Sequence, residues 1–151
     1  MENKRIASNK RAAHRYEILQ RIEAGIVLLG TEVKSLRANK VDLTDSFARI
    51  QNEEVFLYNL HISPYDKGSY ANVEPTRVRK LLLNKREITK LFGKIKQKGY
   101  SLIALSLYFN SKGKAKVELG LGRGRKLYDQ REKIAKKETD QRLRKLGSFR
   151  K

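Results

Sequence analysis

Cysteine is absent from this 151-residue chain, which removes disulfide scaffolds, thiolate zinc sites and thiol nucleophiles together and suits a reducing cytoplasm. Long apolar runs are absent as well. The longest, Ile26-Val27-Leu28-Leu29, falls far short of the ~20 residues a bilayer helix needs, so no membrane partner is expected. Acidic residues are scarce: 16 Asp plus Glu stand against 35 Lys plus Arg, for a net charge of +19 and a pI near 10.3. With 39% hydrophobic residues the chain can still build one core, so the basic excess is a surface property and calls for a polyanionic partner. The opening Met1–Arg15 carries Lys4, Arg5, Lys10, Arg11 and Arg15 without an apolar segment, so a secretory signal is not expected.

The charge is unevenly spread. Residues 1–15 form a basic N-terminal arm of net +4, residues 16–122 a body of net +7, and residues 123–151 a basic tail with twelve cations against four carboxylates, net +8. The body reads as mostly β. Tyr16–Leu29 holds two apolar runs with Glu23-Ala24-Gly25 between them; Ser46–Gln51 and Glu54–Ile62 flank the turn Asn52-Glu53; Tyr100–Phe109 and Lys114–Leu121 flank Asn110–Gly113. One helix is well marked: Asn84 and Glu87 make an N-x-x-E start, Ile88, Leu91, Phe92 and Ile95 follow at helical spacing, and Gly99 closes it. A shorter helix is expected from Thr31 to about Arg37. Hairpins around one inserted helix point to a small Greek-key barrel of the oligonucleotide-binding type, with a split-sheet α+β fold giving similar signals. In the tail, apolar residues are too sparse to offset ~1–2 kcal/mol of ordering per residue, so it is expected to be disordered when free and to fold on binding.

Catalytic and metal-binding patterns are missing. His14 and His61 sit on separate segments, neither within a metal-ligand motif, and no phosphate-binding loop, zinc-protease helix or nucleophile elbow occurs. Gly120-Leu121-Gly122-Arg123-Gly124 imitates the start of a dinucleotide fingerprint but has Arg125 in place of its third glycine; these glycines are expected to let the backbone leave the barrel toward a phosphate chain. Asp42, Asp45 and Glu32 could in principle gather a magnesium ion for ribonuclease chemistry, yet they read better as turn, cap and helix-start residues. No catalytic residue, metal or cofactor is therefore expected. Lys112, Lys114 and Lys116 beside Tyr108 and Phe109 suit phosphate contact with base stacking, whereas Phe47, Phe56, Phe92 and Tyr100 sit at phases that suit a core.

Several strings go beyond composition. Gly30-Thr31-Glu32-Val33-Lys34-Ser35-Leu36-Arg37, Asp45-Ser46-Phe47, Asn59-Leu60-His61-Ile62-Ser63-Pro64-Tyr65, Arg79-Lys80-Leu81-Leu82-Leu83-Asn84-Lys85-Arg86-Glu87, Gly99-Tyr100 and Gly122-Arg123-Gly124-Arg125-Lys126 resemble, in order and spacing, the bacterial SsrA-binding (small protein B) family, from about Asn9 to Lys133. That resemblance implies a cytoplasmic, non-catalytic monomer whose barrel grips the tRNA-like domain of transfer-messenger RNA in trans-translation. The tail would become helical in the empty messenger channel of a stalled ribosome, near the decoding centre. Glu32, Leu91 and Lys116 match the family's RNA-binding positions; Glu32 would accept from a base or orient Lys34 or Arg37, and Lys114 would join the phosphate contacts. In the tail Arg123, Arg125 and Lys126 match a basic cluster, Tyr128 stands where a stacking His is common, and Asp129-Gln130-Arg131 occupies a D-K-R position with one charge fewer. A structural ribosomal protein with rRNA-filling arms is the competing expectation.

Overall fold

The strongest structural demand in the body is a place for its alternating apolar positions, and the chain meets it by closing a sheet on itself. A computed structural model describes residues 4–65 and 73–124. In chain order these form β1 (Lys4–Ser8), α1 (Ala12–Arg15), β2 (Tyr16–Ile26), α2 (Gly30–Arg37), β3 (Val41–Asp42), β4 (Phe47–Gln51), β5 (Glu54–Tyr58), β6 (His61–Ile62), β7 (Arg79–Leu82), α3 (Lys85–Lys98), β8 (Ser101–Phe109) and β9 (Ala115–Gly124). Strands β8, β4, β5, β7, β2 and β9 pair in that order, and β9 pairs back onto β8, so these six antiparallel strands close into a ring, with β1 added alongside β8. Closure removes the exposed strand edges that promote aggregation. The fold is mainly β, with helices between strands.

One face of each strand fills the barrel. Ala24 and Ile26, Val55 and Leu57, Leu81, Leu102, Ala104 and Leu107, and Val117, Leu119 and Leu121 belong to one buried cluster, to which α3 adds Ile88 and Leu91. The α3 boundaries follow from local chemistry. Asn84 Oδ1 accepts from the Glu87 amide at 2.9 Å while Glu87 Oε1 accepts from the Asn84 amide side chain at 3.1 Å, and Gly99 ends the helix with φ 68°. A second, smaller cluster lies on the outer side of β8, where Ile103 and Leu105 alternate with the inward residues and Ala12 of α1 covers them.

The structure redraws several expected boundaries. Residues 4–15, expected as a separate basic arm, are β1 and α1: β1 pairs with β8 over Ser106–Phe109, and the Asn9 amide donates to the Leu105 carbonyl at 2.7 Å. Glu23-Ala24-Gly25 does not interrupt β2, because all three pair with β9 across Glu118, Val117 and Lys116. Gly120, Gly122 and Gly124 do not lead the backbone away; they sit inside β9. A Cβ on Gly122 would stand 3.0 Å from the Glu17 carbonyl oxygen, and one on Gly120 would stand 2.8 Å from Leu105 Cδ1, so these glycines permit close packing. The alternation of β5 ends after Tyr58. Asn59 takes φ 60°, and Leu60 turns into the core.

The β4–β5 turn is as expected from the sequence. Asn52 (φ 51°) and Glu53 (φ 63°) both adopt the left-handed conformation that a two-residue turn of right-handed twist demands. Asn tolerates it, but a glutamate does so at a cost. Glu53→Gly is therefore expected to raise stability by about 0.5–1 kcal/mol, read as a higher midpoint of urea unfolding with an unchanged slope; a lower midpoint would contradict the turn assignment.

Candidate nucleic-acid interface

The register of β9, β2 and β7 decides what the barrel shows to solvent on this side. Gly25 pairs with Lys116 on one edge and Leu82 on the other, so the Lys116 and Leu82 side chains flank a position that has none. Leu82 lies over that gap, its Cβ 3.2 Å from where a Gly25 Cβ would be, and is 53% exposed. Further along, the Val27 amide donates to the Lys80 carbonyl, and Val27, Leu29 and Val78 are also exposed. This face is an apolar strip between two lysines, Lys116 and Lys80, the latter 3.7 Å from the Glu54 carboxylate. Ammonium groups suit phosphates and an apolar strip suits the faces of bases and riboses.

The carboxylates on the same side are occupied. Glu118 pairs with Arg21 at 2.7 Å, and at the far end of β9 Glu17 pairs with Arg123 at 2.6 Å. Glu23 accepts from the Tyr108 hydroxyl. Burial, reinforced by that hydrogen bond and by the Glu23 and Glu118 charges, pushes the Tyr108 phenol well above its ordinary value, so it stays a neutral donor. The acidic side chains thus brace the strands and leave Lys116 beside the apolar strip.

Behind this face lies a buried ion cluster centred on Glu32. Oε1 accepts from the Leu29 amide at 2.9 Å and from Arg77 Nη2 at 2.6 Å, while Oε2 accepts from Arg79 Nε at 2.6 Å. Arg79 is fully buried and also donates to the Leu60 carbonyl at 2.6 Å and the Pro75 carbonyl at 3.0 Å. One carboxylate therefore ties the start of α2 to β7 and to the turns at Leu60 and Pro75. Burial raises the Glu32 pKa, but hydrogen bonds from Arg77, the Leu29 amide and Arg79 outweigh it and hold the carboxyl below its ordinary value.

The expected site residues consequently divide. Lys116 is half-buried beside the strip and Lys114 is exposed at the start of β9, in the β8–β9 hairpin. Lys34 and Arg37 are exposed on α2, with the Lys34 ammonium 5.3 Å from the Tyr65 ring centroid. Glu32, 3% exposed, faces neither a base nor Lys34 and Arg37; it orients Arg77 and Arg79 instead. Leu91, 2% exposed, belongs to the core. Arg123 lies in β9, within the barrel and not in a tail, whereas Arg125, Lys126, Tyr128, Asp129 and Arg131 fall outside the described residues. The three carboxylates weighed for magnesium are engaged separately: Asp42 accepts from Thr44 and Asp45 pairs with Arg15 at 2.9 Å, apart from the Glu32 cluster. Sequence reasoning missed Leu82 and Val27, whose exposure depends on strand phase, and Arg77 and Arg79, whose partner is 45 and 47 positions away.

A closed antiparallel barrel with a helix between two of its strands and a lysine-flanked outer face defines a small nucleic-acid-binding barrel. A family model described as SmpB protein matches residues 6–148. The SsrA-binding protein of Thermus thermophilus is 56% identical over 141 residues, covering 93% of this chain and 98% of that one, and that of Geobacter metallireducens is 57% identical over 143 residues, covering 95% and 93%. A solved chain from work described as "tmRNA-SmpB: a journey to the center of the bacterial ribosome" superposes with a TM-score of 0.66 at 62% identity, covering 78% of this chain and 82% of that chain. The chain belongs to the SmpB family of SsrA-binding proteins.

Removing one partner of a buried ion pair leaves the other uncompensated. Glu32→Gln is expected to cost about 3–5 kcal/mol at neutral pH. Because the folded pKa is depressed, the wild-type advantage should be complete above the unfolded carboxylate value of ~4.3 and should fade as pH falls through the folded value. Urea unfolding of both proteins at pH 7 and in acid checks this; a gap that widens in acid would refute the assignment.

Proposed function

We propose that this protein is a non-enzymatic RNA-binding adaptor of trans-translation, which binds the tRNA-like domain of transfer-messenger RNA through its barrel and accompanies it to stalled ribosomes in the cytoplasm. The observation that carries this reading is kinship with SsrA-binding proteins over 93% of the chain, joined to a structure whose outer face sets Lys116 and Lys80 beside an apolar strip. No helix among the described residues is long and apolar enough to cross a membrane. The barrel contact runs across β9, β2 and β7, with Lys116 and Lys114 on phosphates and Leu82 against the sugar-base surface. Lys34 and Arg37 extend the contact along α2, and Glu32 supports it from within by fixing Arg77. Leu91 supports the binding face by filling the core beneath α3.

The residues beyond Gly124 form the second functional part. They hold eleven of the 35 basic residues, which suits a separate engagement with ribosomal RNA in the messenger channel. Arg125, Lys126 and Arg131 supply charge, Tyr128 a ring for stacking and Asp129 an acceptor. Arg123 itself goes with the barrel, because it lies in β9 and pairs with Glu17. A structural ribosomal protein gains no support from these comparisons.

Lys116→Ala is expected to weaken binding to a tRNA-like RNA and to lower the slope of log affinity against log salt by about one, with melting unchanged. Leu82→Asp should weaken the same binding without altering that fold, since Leu82 already faces water. Filter binding across a salt series measures both, and unchanged affinity in both variants would move the interface elsewhere. Stopping the chain after Gly124 should leave this affinity within a few fold while abolishing tagging of stalled chains in a reconstituted translation system; joint loss of binding and tagging would refute the two-part arrangement.

A further inference from the structure

The aromatic residues that the sequence assigns to a core are where the structure departs most from expectation. Phe47 and Tyr58 pair across β4 and β5 on the outer surface, their rings stacked at 5.5 Å and 11°. The Arg49 guanidinium lies over both, 5.1 Å from the Phe47 centroid and 5.6 Å from that of Tyr58. Phe92 projects from α3, 40% exposed, with the Lys96 ammonium 4.8 Å from its centroid. The two aromatic-cation units border one groove of about 500 Å³: Phe47, Arg49, Phe92, Ile95 and Tyr100 line it, while Tyr58 and Lys96 stand just outside the lining, against Phe47 and Phe92. In the ring of six strands β4 stands three strands from β2, so Phe47 and Arg49 lie across the barrel from the Gly25 position that Lys116 and Leu82 flank.

We propose that this groove is a nucleobase site, which takes an unpaired RNA base stacked on its exposed rings, with the flanking phosphates held by Arg49 and Lys96. The inference rests on the RNA-binding reading and adds to it a place where bases, and not only the backbone, are held. Flat apolar surface roofed by cations is the complement of an unstacked base between phosphates. Among the described residues neither Arg49 nor Lys96 is paired with a carboxylate, and the one acid at the groove, Asp45, is held by Arg15. An acidic or aromatic peptide could use the rings, but a chain of +19 whose family handles RNA meets phosphates first. A second copy of the chain would bring the same positive charge to the groove.

The test uses the full chain and a single-stranded 5-iodouridine oligoribonucleotide, irradiated and then mapped by mass spectrometry. Crosslinks to Phe47, Phe92 or Tyr100 are expected. Annealing the probe into a duplex should cut their yield at least tenfold, because paired bases cannot reach the rings. The double substitution Phe47→Leu with Phe92→Leu keeps apolar volume and removes the stacking faces. It should weaken oligonucleotide binding about 5- to 100-fold. Arg49→Gln, at an exposed site outside the core, provides a second variant should the double one melt early, and should weaken binding in the same direction. Crosslinks found only beyond Gly124 or in the β8–β9 hairpin, equal yield from duplex, binding indifferent to Arg49→Gln, or crosslinking of one copy of the chain into the groove of another would each overturn the proposal. Binding of a tRNA-like RNA, measured on the same preparations, reports separately on the parent reading: full affinity there with no groove crosslinks sinks the groove alone, and groove crosslinks without that affinity sink the parent reading alone.

Discussion

Strand β9 is hydrogen-bonded along both edges, to β2 and to β8, and that double pairing is the constraint on which the rest of the molecule depends. A strand held on both sides cannot slip by one residue without turning every side chain over. Val117, Leu119 and Leu121 are thereby committed to the core and Lys116 to the surface. The irregularities in the ladder, near Leu19 in β2 and Leu105 in β8, fall where β2 and β8 also carry the outer cluster beneath α1. The glycines of β9 belong to the same constraint. Where the outer side of the ladder is crowded by Leu105 or by the Glu17 backbone, a side chain would force the strands apart.

Closure also explains how a chain with so much positive charge can fold. The cations of the described region lie on the outside, where water screens them, and the buried exception is neutralised on the spot. Arg79 makes three kinds of contact, to Glu32, Leu60 and Pro75, so its guanidinium is surrounded by acceptors. A buried pair of this kind adds little net stability over an apolar substitute, because desolvation consumes most of the attraction. Its gain is positional: β7 has four residues and only short ladders to β5 and β2, and the Glu32 cluster fixes the chain where that strand begins. The exposed Leu82 is thus held in place by an ion pair whose other half sits on α2, far away in the sequence.

What the sequence reveals follows the range of the interactions concerned. The α3 helix is legible because its signals are local: a cap three residues from its partner, a stripe at helical spacing and a glycine for the left-handed end. The β4–β5 hairpin is legible for the same reason. Strand β2 reads as two pieces because Gly25 looks like a turn, when its lack of a side chain serves neighbours in β7 and β9. The family resemblance supplies the fold and the partner, but its residue roles are carried by position in a string, and strings do not report burial. Glu32 and Leu91 stand inside, and Lys116 stands at the surface. No local signal separates Leu81 from Leu82, adjacent leucines that the pleat sends to opposite sides of the sheet.

The aromatic residues carry the same argument one step further. A phenylalanine at helical spacing with Ile88 and Leu91 is expected to share their burial, yet Phe92 lies at the edge of the α3 stripe, one position beyond the buried Leu91, and stays 40% exposed. Leaving such a ring in water forgoes part of the ~1.5–3 kcal/mol that its burial would provide. Phe47 and Tyr58 forgo some of theirs as well, being half-buried on the outer side of a strand pair whose inner side is already filled by Ala48, Val55 and Leu57. A chain under selection for stability alone has polar substitutes at all three positions. Rings kept at the surface, each beneath a cation, are consistent with a molecule that reserves part of its apolar surface for an RNA and completes its burial only in the complex.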